Sequence, residues 1–251
     1  MPDYDVSFES SATAIPEEED PTSCFVKGSL LTLADGSQTA VENVALGDEI
    51  LVFDHTTGKL SSSKIVFLFA ADVVDYKIMT LHFEGGVQVK VVNMHGFFDC
   101  DLNEYAMLDY QNIGEYVGHK FYYTAWTGEQ FEAKKLELLS YSFTYETTTR
   151  YTLVTAYQIS HIVNGMLAVS DEIEGLYNVF ALNEDMTVNT EKYYADIQKY
   201  GLASYEEWSE YLTEEEFAFF NGQYINVSIG KGLTTRETLI ALIKKYFHPQ
   251  L

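Results

Sequence analysis

Between residue 24 and about residue 170, apolar positions come in short runs or alternate with polar ones. The runs at 30–33, 49–53, 64–69, 77–83 and 88–92 have the length and period of strands. Asp35-Gly36, Thr57-Gly58 and Gly85-Gly86 punctuate them, and the last pair lies between two strand candidates and predicts a hairpin. Further runs at 120–126, 131–143 and 150–163 repeat the habit, and Asn164-Gly165 adds another turn. Many short strands with regular turns predict an all-β sandwich or barrel-like domain.

After about Leu182 the period changes. Residues 189–200 carry a helical face, and Gly201 stands where a C-terminal cap belongs. Ser204 to Glu207 has the spacing of a capping box opening a helix towards Tyr211. Residues 213–220 read as another short helix, stopped by Asn221-Gly222. Residues 235–247 place apolar side chains at helical spacing, with Lys244 and Lys245 in the last turns, where the helix dipole favours cations. The expectation is a mainly β fold with a small C-terminal α-helical region at roughly 185–251, and no internal repeat.

Composition narrows the function. The 251 residues are 47% hydrophobic and 15% aromatic, with 19 Tyr and 16 Phe, as in a folded chain rich in strands. With 38 acidic and 15 basic residues the formal net charge is −23. Such a field repels a polyanion, so no nucleic-acid partner is expected. No apolar run approaches the ~20 residues that span a bilayer, so no membrane span is expected. Residues 1–23 are polar and carry the acidic run Glu17-Glu18-Glu19-Asp20 between Pro16 and Pro21. A segment of that kind buries too little apolar surface to offset its ordering entropy, and a flexible flank is expected. Cys24 and Cys100 are the two cysteines. They make a poor disulfide framework, although they could pair, and no Cys/His spacing suggests zinc. Neither a metal nor another cofactor is expected.

The stretch Ser23-Cys24-Phe25-Val26-Lys27-Gly28-Ser29 opens the β region. With Asp35-Gly36, Val41, Val44 and Gly47-Asp48 behind it, this run resembles the opening block of Hint (hedgehog/intein) self-processing domains. The resemblance implies a Hint-type β fold over 24–170, with 1–23 as an N-terminal flank and 171–251 as a mostly helical appendage. It also implies that Cys24 is a nucleophile that attacks the carbonyl of Ser23 and converts the Ser23–Cys24 peptide bond to a thioester. The amide nitrogen leaves only if it is protonated, which calls for a general acid such as histidine.

His95, in the run from Val91 to Phe98, resembles the histidine of the second Hint block, usually Thr-x-x-His. The Thr position holds Val92, whose missing hydroxyl implies a differently organised site, and Asn93 is a candidate to compensate. His161, followed by Ile162-Val163-Asn164-Gly165, resembles the histidine of the late block, with a catalytic or a structural role open to it. Asp99 has two readings, a group that orients a catalytic side chain or a turn carboxylate. Cys100 reads as structural, with thiol exchange the alternative, and His119 has no partner evident in the sequence.

Splicing inteins end in His-Asn, whereas that position here holds Val169-Ser170, which cannot form a cyclic imide. The expected activity is therefore self-cleavage without splicing, an N–S acyl shift whose thioester is resolved by water, a thiol or an amine. The substrate is the chain's own N-terminal flank. The alternative is a catalytically degenerate Hint scaffold that serves as an interaction module. The run 177–202, with Ile229-Gly230-Lys231-Gly232 later, is similar to an appendage of large bacterial surface or secreted proteins, so an extracellular or cell-surface setting is expected.

Overall fold

Alternation becomes antiparallel pairing along most of the β region. The computed structural model describes residues 24–155, 160–169, 182–219, 222–232 and 234–246. The expected flexible flank at 1–23 lies outside them. The strands are Cys24–Val26 (β1), Leu30–Thr32 (β2), Gln38–Ala40 (β3), Glu49–Asp54 (β4), Lys59–Ala70 (β5), Val74–Phe83 (β6) and Gln88–Val92 (β7). They continue with His95–Asp99 (β8), Glu104–Leu108 (β9), Lys120–Trp126 (β10), Phe131–Thr148 (β11), Arg150–Thr155 (β12), Ser160–Val163 (β13) and Met166–Val169 (β14). One hydrogen-bonded path joins them in the order β3-β2-β13-β14-β8-β10-β11-β6-β7-β1-β12-β5-β4, with β9 on the side of β8. The mainly β architecture with helices at the C-terminal end is the one expected.

Several boundaries differ, for identifiable reasons. The run at 131–143 continues to Thr148, because Tyr145 and Thr147 keep the alternation and pair with Lys77 and Asp75 of β6. The run at 150–163 holds two strands, β12 ending at Thr155 and β13 starting at Ser160. Strand β8 is buried at every position, so it has no polar face to reveal a period of two. Asn164 and Gly165 join β13 to β14 with φ of 49° and 83°, the positive pair that a tight hairpin turn with the twist of its strands demands.

Short β1 lies between β7 and β12, hydrogen-bonded on both sides. Its alternation sends Phe25 into the main core with Met79, Leu81 and Val91. Cys24 and Val26 fall in a separate small cluster with Ile78 and Val92. β1 is thus a fully apolar strand with both faces covered.

The helices are Thr190–Tyr200 (α1), Tyr205–Trp208 (α2), Glu214–Phe219 (α3), Ile225–Gly230 (α4) and Arg236–Tyr246 (α5). The Asn189 side chain accepts the Lys192 amide at 3.0 Å and opens α1, while Gly201 at φ 76° closes it. Ser204 and Glu207 form the expected capping box. Strong local caps explain why these boundaries are readable, whereas α4 lacks a side-chain cap and was not marked by the sequence. The helices bury Trp208 among Ala203, Leu212, Ile225, Leu239 and Ile243, with the Arg236 guanidinium 4.4 Å from the indole.

Residues 182–189 tie this helical part back to the sheet. The His55 Nδ1–H donates to the Met186 carbonyl at 2.8 Å, which leaves Nε2 to accept from the Tyr105 hydroxyl at 2.9 Å. The Val188 amide donates to the His55 carbonyl, and the Asn103 side chain donates to the Asn183 carbonyl.

Candidate functional site

The site is built from the first two residues of β1 and from β7, β8, β12 and β13. Cys24 is fully buried. Its Cα partner on β7 is Val92, the position where a hydroxyl was missing. A hydroxyl does reach the thiol, from the other neighbouring strand: Thr152 Oγ1 on β12 stands 3.0 Å from Cys24 Sγ. Phe25 pairs with Tyr151 on β12, so antiparallel register brings Thr152 opposite Cys24. The sequence carries no signal for this contact, because the two residues are 128 positions apart. Arg150, two residues before Thr152, is nearly buried and holds its guanidinium 5.3 Å from the Tyr76 ring.

On the Phe25 side of β1 the structure brings the two expected histidines together. The His95 ring centroid lies 3.9 Å from that of Phe25, the residue bonded to Cys24. The His161 ring meets Phe25 edge-on at 5.3 Å and His95 at 6.4 Å. Both imidazoles are fully buried. Strand β13 fixes His161 through its neighbour: the Ser160 hydroxyl accepts the Phe53 amide at 3.0 Å and donates to the Phe53 carbonyl at 3.2 Å.

Neither ring nitrogen of His95 reaches a partner at full hydrogen-bond geometry among the described residues, although the backbone at Gly96 and Val169 interacts with the ring. Burial holds the His95 pKa well below that of a free imidazole, and His161 pushes it the same way, while the backbone at Gly96 and Val169 opposes both. The resting imidazole is therefore neutral near pH 7, with one nitrogen able to accept a proton and one able to donate.

Asn93 sits between β7 and β8 at φ 57°, and its amide donates to the Tyr110 hydroxyl at 2.6 Å. Asparagine tolerates that left-handed backbone better than most residues. The Asp99 carboxylate is fully occupied at the far end of β8. Its Oδ1 accepts the amides of Asp101 and Leu102, and its Oδ2 accepts from His119 Nδ1 at 2.7 Å. Among the two readings of Asp99, these contacts are those of a turn carboxylate, and they supply the partner of His119 that the sequence did not reveal. The Asp99, Asp101 and His119 ligand atoms lie within 4.8 Å of one another, an arrangement that sequence spacing does not announce.

Cys24 and Cys100 are both free thiols in separate clusters, so they do not form the disulfide that the sequence left open. Burial pushes the Cys100 thiol up to about 11, which keeps it protonated and unreactive. No helix among the described residues is long and apolar enough to cross a membrane.

No protein-family model matches this chain, and no curated protein matches it. Similar solved structures do exist. One is a variant of the Ssp DnaB mini-intein, 17% identical, with a TM-score of 0.49 over 61% of this chain and 99% of that one. Another is the PabCDC21-1 intein, 15% identical, with a TM-score of 0.48 over 59% of this chain and 98% of the other. A third is a bacterial intein-like domain from Clostridium thermocellum, 16% identical, with a TM-score of 0.47 over 59% and 98%. Since each TM-score is below 0.5, the functional reading rests on the chain's own residues.

Proposed function

We propose that this chain is a Hint-type self-processing domain that cleaves the Ser23–Cys24 bond in cis. The observation that carries the reading is His95: a fully buried imidazole packed on the ring next to Cys24, with His161 beside it. The Cys24 thiol attacks the Ser23 carbonyl carbon, the C–N bond to Cys24 breaks, and a thioester forms on Sγ. The thiol gives up one proton and the departing nitrogen takes one, so the acyl shift is balanced. His95, neutral at rest, passes that proton on and acts as the general acid. A desolvated imidazolium is a stronger acid than an exposed one, which suits a leaving group as poor as an amide. Thr152 holds the thiol in one rotamer. His161 backs His95 through Phe25.

The thioester then awaits water, a thiol or an amine. Because Val169-Ser170 stands where cyclising His-Asn would be, the two flanks are not ligated.

A second reading, an interaction module on a degenerate scaffold, is favoured by the complete burial of Cys24 and by Val92 opposite it. One experiment separates the two. The purified chain is incubated with excess dithiothreitol near neutral pH and its intact mass followed for a day, beside Cys24→Ala and His95→Ala. Self-processing predicts release of the fragment 24–251, abolished by Cys24→Ala and slowed by His95→Ala. An unchanged mass, with both cysteines reduced, rejects it in favour of the module.

A further inference from the structure

One hydroxyl joins two stretches of backbone beside His95. Tyr110, in the turn after β9, accepts the Asn93 amide at 2.6 Å and donates to the Lys77 carbonyl on β6. Asn93 is the left-handed residue two positions before His95. There the chain leaves the ladder between β6 and β1 and crosses to β9 and β14. The Asn93 amide lies just beyond Val92, the last residue of β7.

The Tyr110 ring is itself clamped. The Phe143 ring meets it edge-on at 5.6 Å, and the Lys77 ammonium lies 4.5 Å from its centroid and 4.7 Å from that of Phe143. The ring also packs against the main core. A tyrosine fixed along its whole length presents its hydroxyl at one point, and both of its hydrogen bonds are spent on backbone. Such a bridge transmits the position of β6 directly to the turn that aims His95.

We propose that Tyr110 is a positioning residue for His95, setting the imidazole through the Asn93 amide. This rests on the reading of His95 as the acid of Ser23–Cys24 cleavage. The tie compensates for Val92, since it anchors the start of the Asn93-Met94-His95 turn from outside the strand rather than from the strand's own last side chain. Reacting groups must be held within about 0.5 Å of productive geometry, and a misplacement of about 1 Å can cost 10²-fold.

Tyr110→Phe removes the one hydroxyl and leaves the clamped ring. Tyr105→Phe is the control, because it deletes a hydroxyl of the same kind from His55, outside the site. Two readouts are compared. Dithiothreitol-induced release of fragment 24–251 is expected to slow by about tenfold or more in Tyr110→Phe and little in Tyr105→Phe. In the uncleavable Cys24→Ala background, the His95 imidazole nitrogen resonances and their titration are expected to move in Tyr110→Phe and stay put in Tyr105→Phe. Unmoved His95 resonances in a folded Tyr110→Phe protein overturn the proposal, as does equal slowing in both variants. Should the parent chain not cleave at all, the cleavage reading falls, while the His95 resonances still decide whether Tyr110 positions the ring.

Discussion

Cys24 Sγ and Thr152 Oγ1 lie 3.0 Å apart, one on β1 and one on β12, held opposite each other by antiparallel register. The contact reaches the thiol from a strand that begins only at residue 150. Thr152→Val keeps the shape and deletes the hydroxyl. It is expected to cost about 1 kcal/mol of stability, the net worth of an ordinary hydrogen bond. Thiol-induced cleavage is expected to slow by about tenfold through a less ordered nucleophile. Thr152→Ser should retain most of both. Urea unfolding and intact-mass kinetics on the three proteins check this.

Acid should loosen the fold through His95. Above about pH 6.5 the imidazole is neutral folded or unfolded. Below that, the unfolded chain takes up a proton that the buried ring refuses, so stability falls as pH drops towards the depressed folded pKa. Each such histidine contributes a slope of at most ~1.4 kcal/mol per pH unit. His55, whose pKa burial also lowers, adds to the same window. The expected outcome is that unfolding free energies at pH 7 and pH 5.5 differ by about 1 kcal/mol less in His95→Gln than in the parent.

The hairpin between β13 and β14 tolerates no side chain at its second turn residue. A Cβ on Gly165 would fall 2.2 Å from the Tyr123 ring, at a backbone φ of 83°. Gly165→Ala is therefore expected to destabilise by about 2–3 kcal/mol, from strain and overpacking together. Because this hairpin carries His161, cleavage per folded molecule should fall as well. Thermal melts and mass kinetics together test both parts.

Asp99 should matter to stability and not to chemistry. Asp99→Ala strips two amides and His119 of their acceptor at a fully buried position. A loss of about 3 kcal/mol is expected. Cleavage measured on the folded fraction should stay within about twofold of the parent, since the carboxylate touches no group near Cys24. A proportionate loss of rate at full folding would assign Asp99 to the site.

What the sequence made legible was local. Asn164-Gly165, Gly85-Gly86, the Gly201 cap and the Ser204–Glu207 box each encode their conformation within four residues, and each lies where the pattern places it. Apolar runs marked β4 and β6, whose central residues are buried, whereas β8 is buried throughout yet includes His95, Gly96 and Asp99 and gave neither a run nor a period to read. Cys24 and the two histidines stood out by residue type and neighbours. Their supports did not. Thr152 and Tyr110 are a threonine in a strand and a tyrosine in a turn, among 19 tyrosines, and only pairing across 128 and 17 positions gives them meaning.

The place of β1 in mid-sheet has an outcome for the products. A cut at Ser23–Cys24 would create a new chain start that is already anchored, bonded to β7 on one side and β12 on the other. The freed amine would stay beside the thioester it had just left. Under the proposed chemistry, re-formation of the amide would compete with every external acceptor, and the thioester would persist until a nucleophile arrived. Release of the flank would then report the supply of acceptor rather than the speed of the acyl shift.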